Sequence, residues 1–290
     1  MSQARRIFVK GSLVEGAEVS GKTWIDSSSS IWFEASIARF RKGTVLSECM
    51  DIASRDAIQP TAAQFIDSVL RLAPGVAAFD CDGTLWSGDA GETFFDWEIK
   101  RGVVSAEVGR TMRARYAEYK AGKVSEEDMC GEMVTMHKGI PEEAMMQAAT
   151  EFMTTSFPGW VFSEMKKLVH QLHENGCEIW AVSSSNEWVI RAGMKQFGIE
   201  SDRILAAKVE LENGIVTDKL VRVPSGPGKP LALREVAGKE MDAAFGNSRW
   251  DFEMLATARH AFAVNPNPDL AETAQQRGWT IYFPDGTGRR

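Results

Sequence analysis

No stretch of this 290-residue chain approaches the roughly 18 uninterrupted apolar residues that a membrane span requires, so a bilayer is not expected among its partners. Positive charge is also short: 33 Lys and Arg stand against 40 Asp and Glu, a net charge of −7. That balance argues against nucleic acid or an anionic lipid surface as a partner, and any anion site must be made electropositive locally. Cysteine is scarce, with Cys49, Cys81, Cys130 and Cys177 far apart and without metal-ligand spacing. They read as reduced thiols of a cytoplasmic protein. There is no internal repeat. The basic start A-R-R-I-F-V-K (Ala4 to Lys10) is similar to a twin-arginine export signal, but the apolar stretch that must follow is interrupted by Glu15 and Glu18. Export is therefore not expected.

What the chain does have is apolar content, 44% of residues, enough for a sizeable core. It also has one stretch around which the rest is organised. Val76 to Trp86 reads V-A-A-F-D-C-D-G-T-L-W, an apolar strand ending in two aspartates one residue apart. Side chains alternate along an extended segment, so Asp80 and Asp82 leave the strand end on one side with Cys81 turned aside. Gly83 follows where a sharp turn calls for positive φ. Paired carboxylates at a strand end can bind a hard cation, supply a nucleophile or move a proton; the plainer alternative is a solvated turn. The stretch resembles the first motif, D-x-D-G-T-L, of the haloacid dehalogenase-like hydrolase superfamily, most of whose members are phosphatases.

Residues 1–55 show no sustained hydrophobic period and contain the run Ser27 to Ser30, so they read as a weakly ordered extension. Met50, just before the first convincing helix, is an alternative start. Periodicity predicts a helix over Thr61 to Leu72. Beyond the key strand it predicts four more, over Glu92 to Arg101, Ala106 to Ala121, Ser125 to His137 and Pro141 to Thr155, with breaks at Gly102, Gly122 and Gly139. After Pro158 strands and helices alternate: strands over Glu178 to Ser183, Asp242 to Phe245, His260 to Val264 and Thr280 to Phe283, and a hairpin over Ile204 to Val216 turning at Asn213-Gly214. The pattern is α/β, a doubly wound, mostly parallel sheet built from residues 56–89 and 158–290, with an α-helical cap inserted over 90–157. Ligands of such sheets sit outside the carboxyl ends of the strands.

Three further motifs match the same superfamily in order. The strand I-W-A-V ends in Ser183-Ser184-Ser185-Asn186 and opens a helix, where hydroxyl and N–H donors can hold an anion. Ser183 takes the hydroxyl role of the second motif with Ser184 beside it; helix capping by Ser185 or Asn186 is the structural alternative. Lys229, in G-P-G-K-P, resembles the third motif, with Lys208 and Lys219 as rivals. The fourth is A-A-F-G-N-S-R-W-D, where Asn247 stands in place of the aspartate of many relatives and Asp251 is the clear carboxylate. An amide oxygen coordinates Mg²⁺ without charge, so the departure bears on metal affinity.

The resemblance implies a Rossmannoid core and Mg²⁺-dependent hydrolysis of a small metabolite phosphate ester through an aspartyl-phosphate. Asp80 is then the nucleophile, Asp82 the acid and base, and Ser183 and Lys229 the phosphoryl holders. Asp80, the Asp82 backbone carbonyl, Asn247 and Asp251 form the metal shell. A non-catalytic binding or regulatory protein that keeps the fold, and a phosphotransferase, are the other readings. The helical insert looks like the cap of the phosphoserine phosphatase-like branch, in which Asp89 falls where an acidic residue meets the substrate's amino group. With Glu92, Trp86 and Trp97 nearby, a cationic ester such as phosphoserine, phosphoethanolamine or phosphocholine is expected, phosphoserine also needing a basic partner such as Arg113 or Arg115. An acidic first turn and ordinary core packing explain the same residues without a ligand.

Overall fold

The computed structural model describes residues 60–285 and, ahead of them, the backbone of three short strands, β1 (Phe8–Lys10), β2 (Gly21–Ile25) and β3 (Ile31–Ala35). These pair antiparallel in the order β1-β3-β2 within a unit spanning Met1–Ile58. Apart from these strands, the expected weakly ordered extension falls on residues outside those described, as does Cys49. The second unit, Gln59–Arg290, holds everything that follows.

Helix α1 (Ala62–Leu70) starts at Thr61, whose hydroxyl accepts from the Gln64 N–H while the Gln64 side chain accepts from the Thr61 N–H. This reciprocal cap satisfies two donors that a helix start leaves open. Strand β4 (Val76–Phe79) is the expected key strand. Four helices then intervene before the next strand: α2 (Ala90–Arg101), α3 (Ala106–Lys120), α4 (Glu126–Thr135) and α5 (Glu142–Thr155). Ser105 and Ser125 cap α3 and α4, and Gly102, at φ 71°, ends α2 in the left-handed region that favours glycine.

Beyond the insertion come α6 (Ser163–Glu174), β5 (Glu178–Asn186), α7 (Glu187–Met194), β6 (Ile204–Glu212) and β7 (Ile215–Arg222). The unit continues through α8 (Gly228–Val236), β8 (Ala243–Gly246), α9 (Phe252–Thr257), β9 (His260–Val264), α10 (Pro268–Arg277) and β10 (Thr280–Tyr282). The β6–β7 hairpin turns at Asn213 and Gly214, both at positive φ, as a two-residue hairpin turn requires. Its second strand runs to Arg222, beyond the expected end at Val216, and β5 continues three residues past Ser183.

The seven strands lie in the order β10-β9-β8-β4-β5-β6-β7, parallel except for the β6–β7 pair. This is the expected doubly wound sheet. Strand β4 sits between β5 and β8, so the connections leaving its two sides diverge at its carboxyl end, where ligands bind in sheets of this kind. Alternation along β4 sends Ala77 and Phe79 into one core and Ala78 into the other. Phe79 stacks on Phe245 at 4.1 Å, and Phe245 on Phe262 at 4.6 Å, a ladder of rings across β4, β8 and β9. Burying one such ring is worth roughly 1.5–3 kcal/mol, which fixes the height at which β4 ends. Among the described residues no helix is long and apolar enough to cross a membrane.

Candidate active site

Asp80 is the first residue past β4, and its N–H still donates to the Phe245 carbonyl at 2.9 Å, so the sheet holds its backbone. Its carboxylate is buried. Oδ1 accepts from Lys229 Nζ at 2.7 Å and Oδ2 from Thr84 Oγ1 at 2.8 Å. Lys229, in the first turn of α8 and 2% exposed, also donates to Asp251 Oδ1 at 2.5 Å and to the Val182 carbonyl at 3.2 Å. Burial alone would lower the lysine's pKa, but Asp251 and Asp80 more than reverse this, and it stays charged. The Asp80 pKa is also raised, chiefly by burial and then by the Asp251 charge, up to about 7 against the pull of Lys229. One ammonium thus serves two buried carboxylates.

Asp82 has a different environment. Oδ1 accepts from Trp86 Nε1 at 2.8 Å and from the Ala90 N–H at 2.6 Å, and Oδ2 accepts from Ser185 Oγ at 2.7 Å. No lysine or arginine pairs with it among the described residues. Burial, then the Asp89 charge, raises its pKa to about 7, while the three hydrogen bonds oppose the rise. Between the two aspartates and Asn247 lies Gly83, at φ 78°; a Cβ there would sit 1.9 Å from Asn247 Nδ2, so conformation and space both demand glycine.

These groups face a cavity of about 420 Å³, within the usual size of a small-molecule site. Asp80, Asp82, Ser183, Lys229 and Asn247 line its sheet side. Ser183 is 1% exposed and its Oγ accepts from the Ser185 N–H at 3.1 Å; Ser184 donates to Glu126 at 3.1 Å. Asp89 and Glu92 line the entrance to the insertion. Asp89 caps α2 by accepting from the Glu92 N–H at 2.7 Å, and Glu92 pairs with Lys120 at 3.2 Å. The rival lysines lie elsewhere, Lys208 on Glu187 and Lys219 on Glu210. Cys81, Cys130 and Cys177 are free thiols.

Three expectations are corrected by the packing. Trp86 does not reach the cavity: it is fully buried, its ring edge-on to Phe157 at 5.5 Å, because the turn after Asp82 tucks it beneath the site. Only its indole N–H serves the site, through Asp82. Trp97 stacks on Phe94 at 5.8 Å within the insertion and does not line the cavity. Arg113 and Arg115 are committed to Asp96 and Glu132 and line no part of the cavity. Three side chains that meet this site stand outside the expected set. Thr84 is the hydroxyl of the first motif, Ser185 has helix capping as its expected role, and Glu126 is one of three acidic residues in the first turn of α4.

Among the described residues no three His, Cys, Asp or Glu side chains form a metal cluster. The oxygens lining this side of the cavity include those of Asp80, Asp82 and the Asn247 amide, whose side chain makes no hydrogen bond among the described residues and lies against Gly83. Such a set fits a hard cation. Asp251, expected in the metal shell, has both oxygens engaged, Oδ1 by Lys229 and Oδ2 by the N–H groups of Asn247 and Ser248. These bonds hold Lys229 and the loop that carries Asn247.

A parallel sheet with a carboxylate pair and a buried lysine at the switch point defines a hydrolase of the doubly wound α/β class. The chain belongs to the haloacid dehalogenase-like hydrolase family, whose model matches residues 77–256. It is 24% identical over 218 residues to a histidinol-phosphatase of Neisseria meningitidis serogroup C, covering 71% of this chain and 97% of that one. A 126-residue match at 29% identity, 42% of this chain and 43% of the other, is to a probable phosphatase of Mycobacterium tuberculosis. Among solved structures, a Bordetella pertussis protein of unknown function superposes with TM-score 0.65 at 22% identity, over 71% of this chain and 97% of that one. A probable phosphoserine phosphatase of Vibrio cholerae gives TM-score 0.55 at 19% identity, over 87% and 71%. These two likenesses concern the fold.

Proposed function

We propose that the protein is a Mg²⁺-dependent phosphomonoesterase acting on a small metabolite phosphate through an aspartyl-phosphate on Asp80. The observation that carries this reading is the split environment of the two strand-end carboxyls. Asp80 is held by the Lys229 ammonium and the Thr84 hydroxyl, whereas Asp82 accepts only from neutral donors, Trp86, Ala90 and Ser185, and among the described residues has no cation to keep it ionised, which suits it to give and take a proton. Names given to relatives, among them histidinol-phosphatase and probable phosphatase, support it.

An Asp80 oxygen attacks phosphorus and the P–O bond to the alcohol breaks as the acyl-phosphate forms. Asp82 gives its proton to the leaving oxygen. Water then attacks the phosphorus of the acyl-phosphate and passes a proton to Asp82, which releases phosphate and restores both carboxyls. Ser183 Oγ and Lys229 hold phosphoryl oxygens, and the insertion over 90–157 acts as a cap that keeps bulk water out. Asp80, the Asp82 main-chain carbonyl and Asn247 would hold Mg²⁺, which supplies positive charge where one lysine faces two carboxylates and an incoming phosphate.

The test is hydrolysis of an aryl phosphate with and without Mg²⁺ by the wild type and by Asp80→Asn. Turnover should need Mg²⁺ and vanish in the variant. Retained turnover in Asp80→Asn refutes the mechanism, and transfer to an added alcohol in preference to water identifies a phosphotransferase.

A further inference from the structure

On the cap side of the cavity stands a charge that the proposed chemistry does not use. Glu126, in the first turn of α4, is 7% exposed and lines the cavity. Its Oε1 accepts from Ser184 Oγ at 3.1 Å and from Ser225 Oγ at 2.9 Å, both on the sheet side. Its Oε2 makes no hydrogen bond among the described residues and is not among the fully enclosed unpaired atoms, so it keeps accessible surface in a residue that lines the cavity. No Lys, Arg or His forms an ion pair with it among the described residues. Burial raises its pKa, and the two serine hydroxyls and, at longer range, the Lys229 charge oppose the rise. A buried carboxylate without a direct ion-pair partner is costly to the folded state, and two hydroxyls aimed at one oxygen leave the other available to a ligand.

The remaining charges of the cavity define what that is. Five carboxylate residues line it, Asp80, Asp82, Asp89, Glu92 and Glu126, against two lysines. Both lysines are committed, Lys229 to Asp80 and Asp251 and Lys120 to Glu92. Among the described residues no arginine lines the cavity, and Glu126 and Asp89 would repel a substrate carboxylate.

We propose that Glu126 is the specificity-determining residue of the cap, its free oxygen receiving the positively charged nitrogen of a phosphate monoester of an amino alcohol that carries no carboxylate. This rests on the phosphomonoesterase reading of the same site and narrows its substrate class: phosphoethanolamine fits, phosphoserine does not. Glutamine at 126 keeps an acceptor for Ser184 and Ser225 but removes the charge. A mere latch between α4 and the sheet would therefore survive Glu126→Gln with all substrates affected alike, whereas a counter-ion would not.

The experiment compares kcat/KM for phosphoethanolamine, phosphoserine and glycerol phosphate in the wild type and in Glu126→Gln. The wild type should favour phosphoethanolamine over both others by about tenfold or more, and the variant should reduce its preference over glycerol phosphate by about tenfold, the scale of a lost hydrogen bond to a charged group. A wild-type preference for glycerol phosphate or phosphoserine overturns the proposal, as does an equal loss on all esters. If Glu126→Gln does not fold, the wild-type ratios decide. If no ester is hydrolysed the phosphomonoesterase reading fails separately, and calorimetric titration of Asp80→Asn with phosphoethanolamine and glycerol phosphate still reads the preference.

Discussion

Lys229→Met would leave Asp80 and Asp251, 5% and 0% exposed, facing each other with no cation between them. Removing one partner of a buried ion pair costs roughly 3–5 kcal/mol, and at about 2–4 °C per kcal/mol for a unit of this size the melting temperature should fall by about 6–20 °C. The loss should depend on pH. Burial, helped by Asp251, raises the Asp80 pKa from 3.8 to about 7 in the folded protein. A carboxyl raised in this way contributes stability while protonated and loses it as pH climbs through the folded value. Without the pull of Lys229 that value rises further, so near pH 5 Asp80 is protonated in both proteins and the deficit is smallest. Above about 7 the wild type holds an ionised Asp80 against its lysine and the variant cannot, so the deficit is largest near pH 8. Urea unfolding of both proteins at about pH 5 and pH 8 in the absence of divalent cations measures this. A loss below about 1 kcal/mol at both values, or one that shrinks as pH rises, refutes the arrangement of charges described.

Gly83→Ala should abolish activity and lower stability by more than about 1 kcal/mol, since the new methyl group overlaps the Asn247 amide in a left-handed backbone; an active, stable variant would show that the loop does not meet Asn247 as described. Asn247→Asp should tighten Mg²⁺, read as a larger rise of melting temperature per added Mg²⁺ than in the wild type, and an unchanged shift removes Asn247 from the ligand set. Ser185→Ala should lower kcat on every ester by roughly tenfold or more, because Asp82 loses a hydrogen bond to Oδ2, with KM little changed; a change confined to KM would place Ser185 among substrate contacts instead.

What could be read in the sequence was what is local. The apolar run V-A-A-F and the glycine after Asp82 placed the carboxylate pair at a strand end, and Ser125 and Gly102 marked helix ends at their observed places. Asn213-Gly214 fixed the hairpin because only a positive-φ pair closes it. The fit of Lys229 to Asp80, 149 residues apart, came from family resemblance; nothing local encodes it. Glu126 was hidden for the same reason: its partners Ser184 and Ser225 lie 58 and 99 residues away, and an acidic residue in a first turn already has a sufficient local explanation. Trp86 misled because proximity in sequence to a carboxylate says nothing of which way a turn sends the ring, and here it goes into the core.

The acid and base of the proposed reaction is tied to the start of the insertion as firmly as to the sheet. Asp82 accepts from the N–H of Ala90, the first residue of α2, and from Ser185 at the end of β5. A Cβ on Gly91 would lie 2.3 Å from Ser185 Oγ, so α2 and β5 meet at a contact that admits no side chain. The entry of the insertion therefore cannot shift without moving Asp82. Helix α4 is joined to the sheet side of the cavity differently, through two serine hydroxyls on a single Glu126 oxygen, bonds worth about 1.5–3 kcal/mol each and replaceable by an amide or by water. The proposed proton transfer and the proposed selection therefore rest on separate elements. A change of substrate is open to the inward side chains of α4, such as Glu126 and Met129, whereas Gly91 and Ser185 cannot change without disturbing the proton transfer assigned to Asp82.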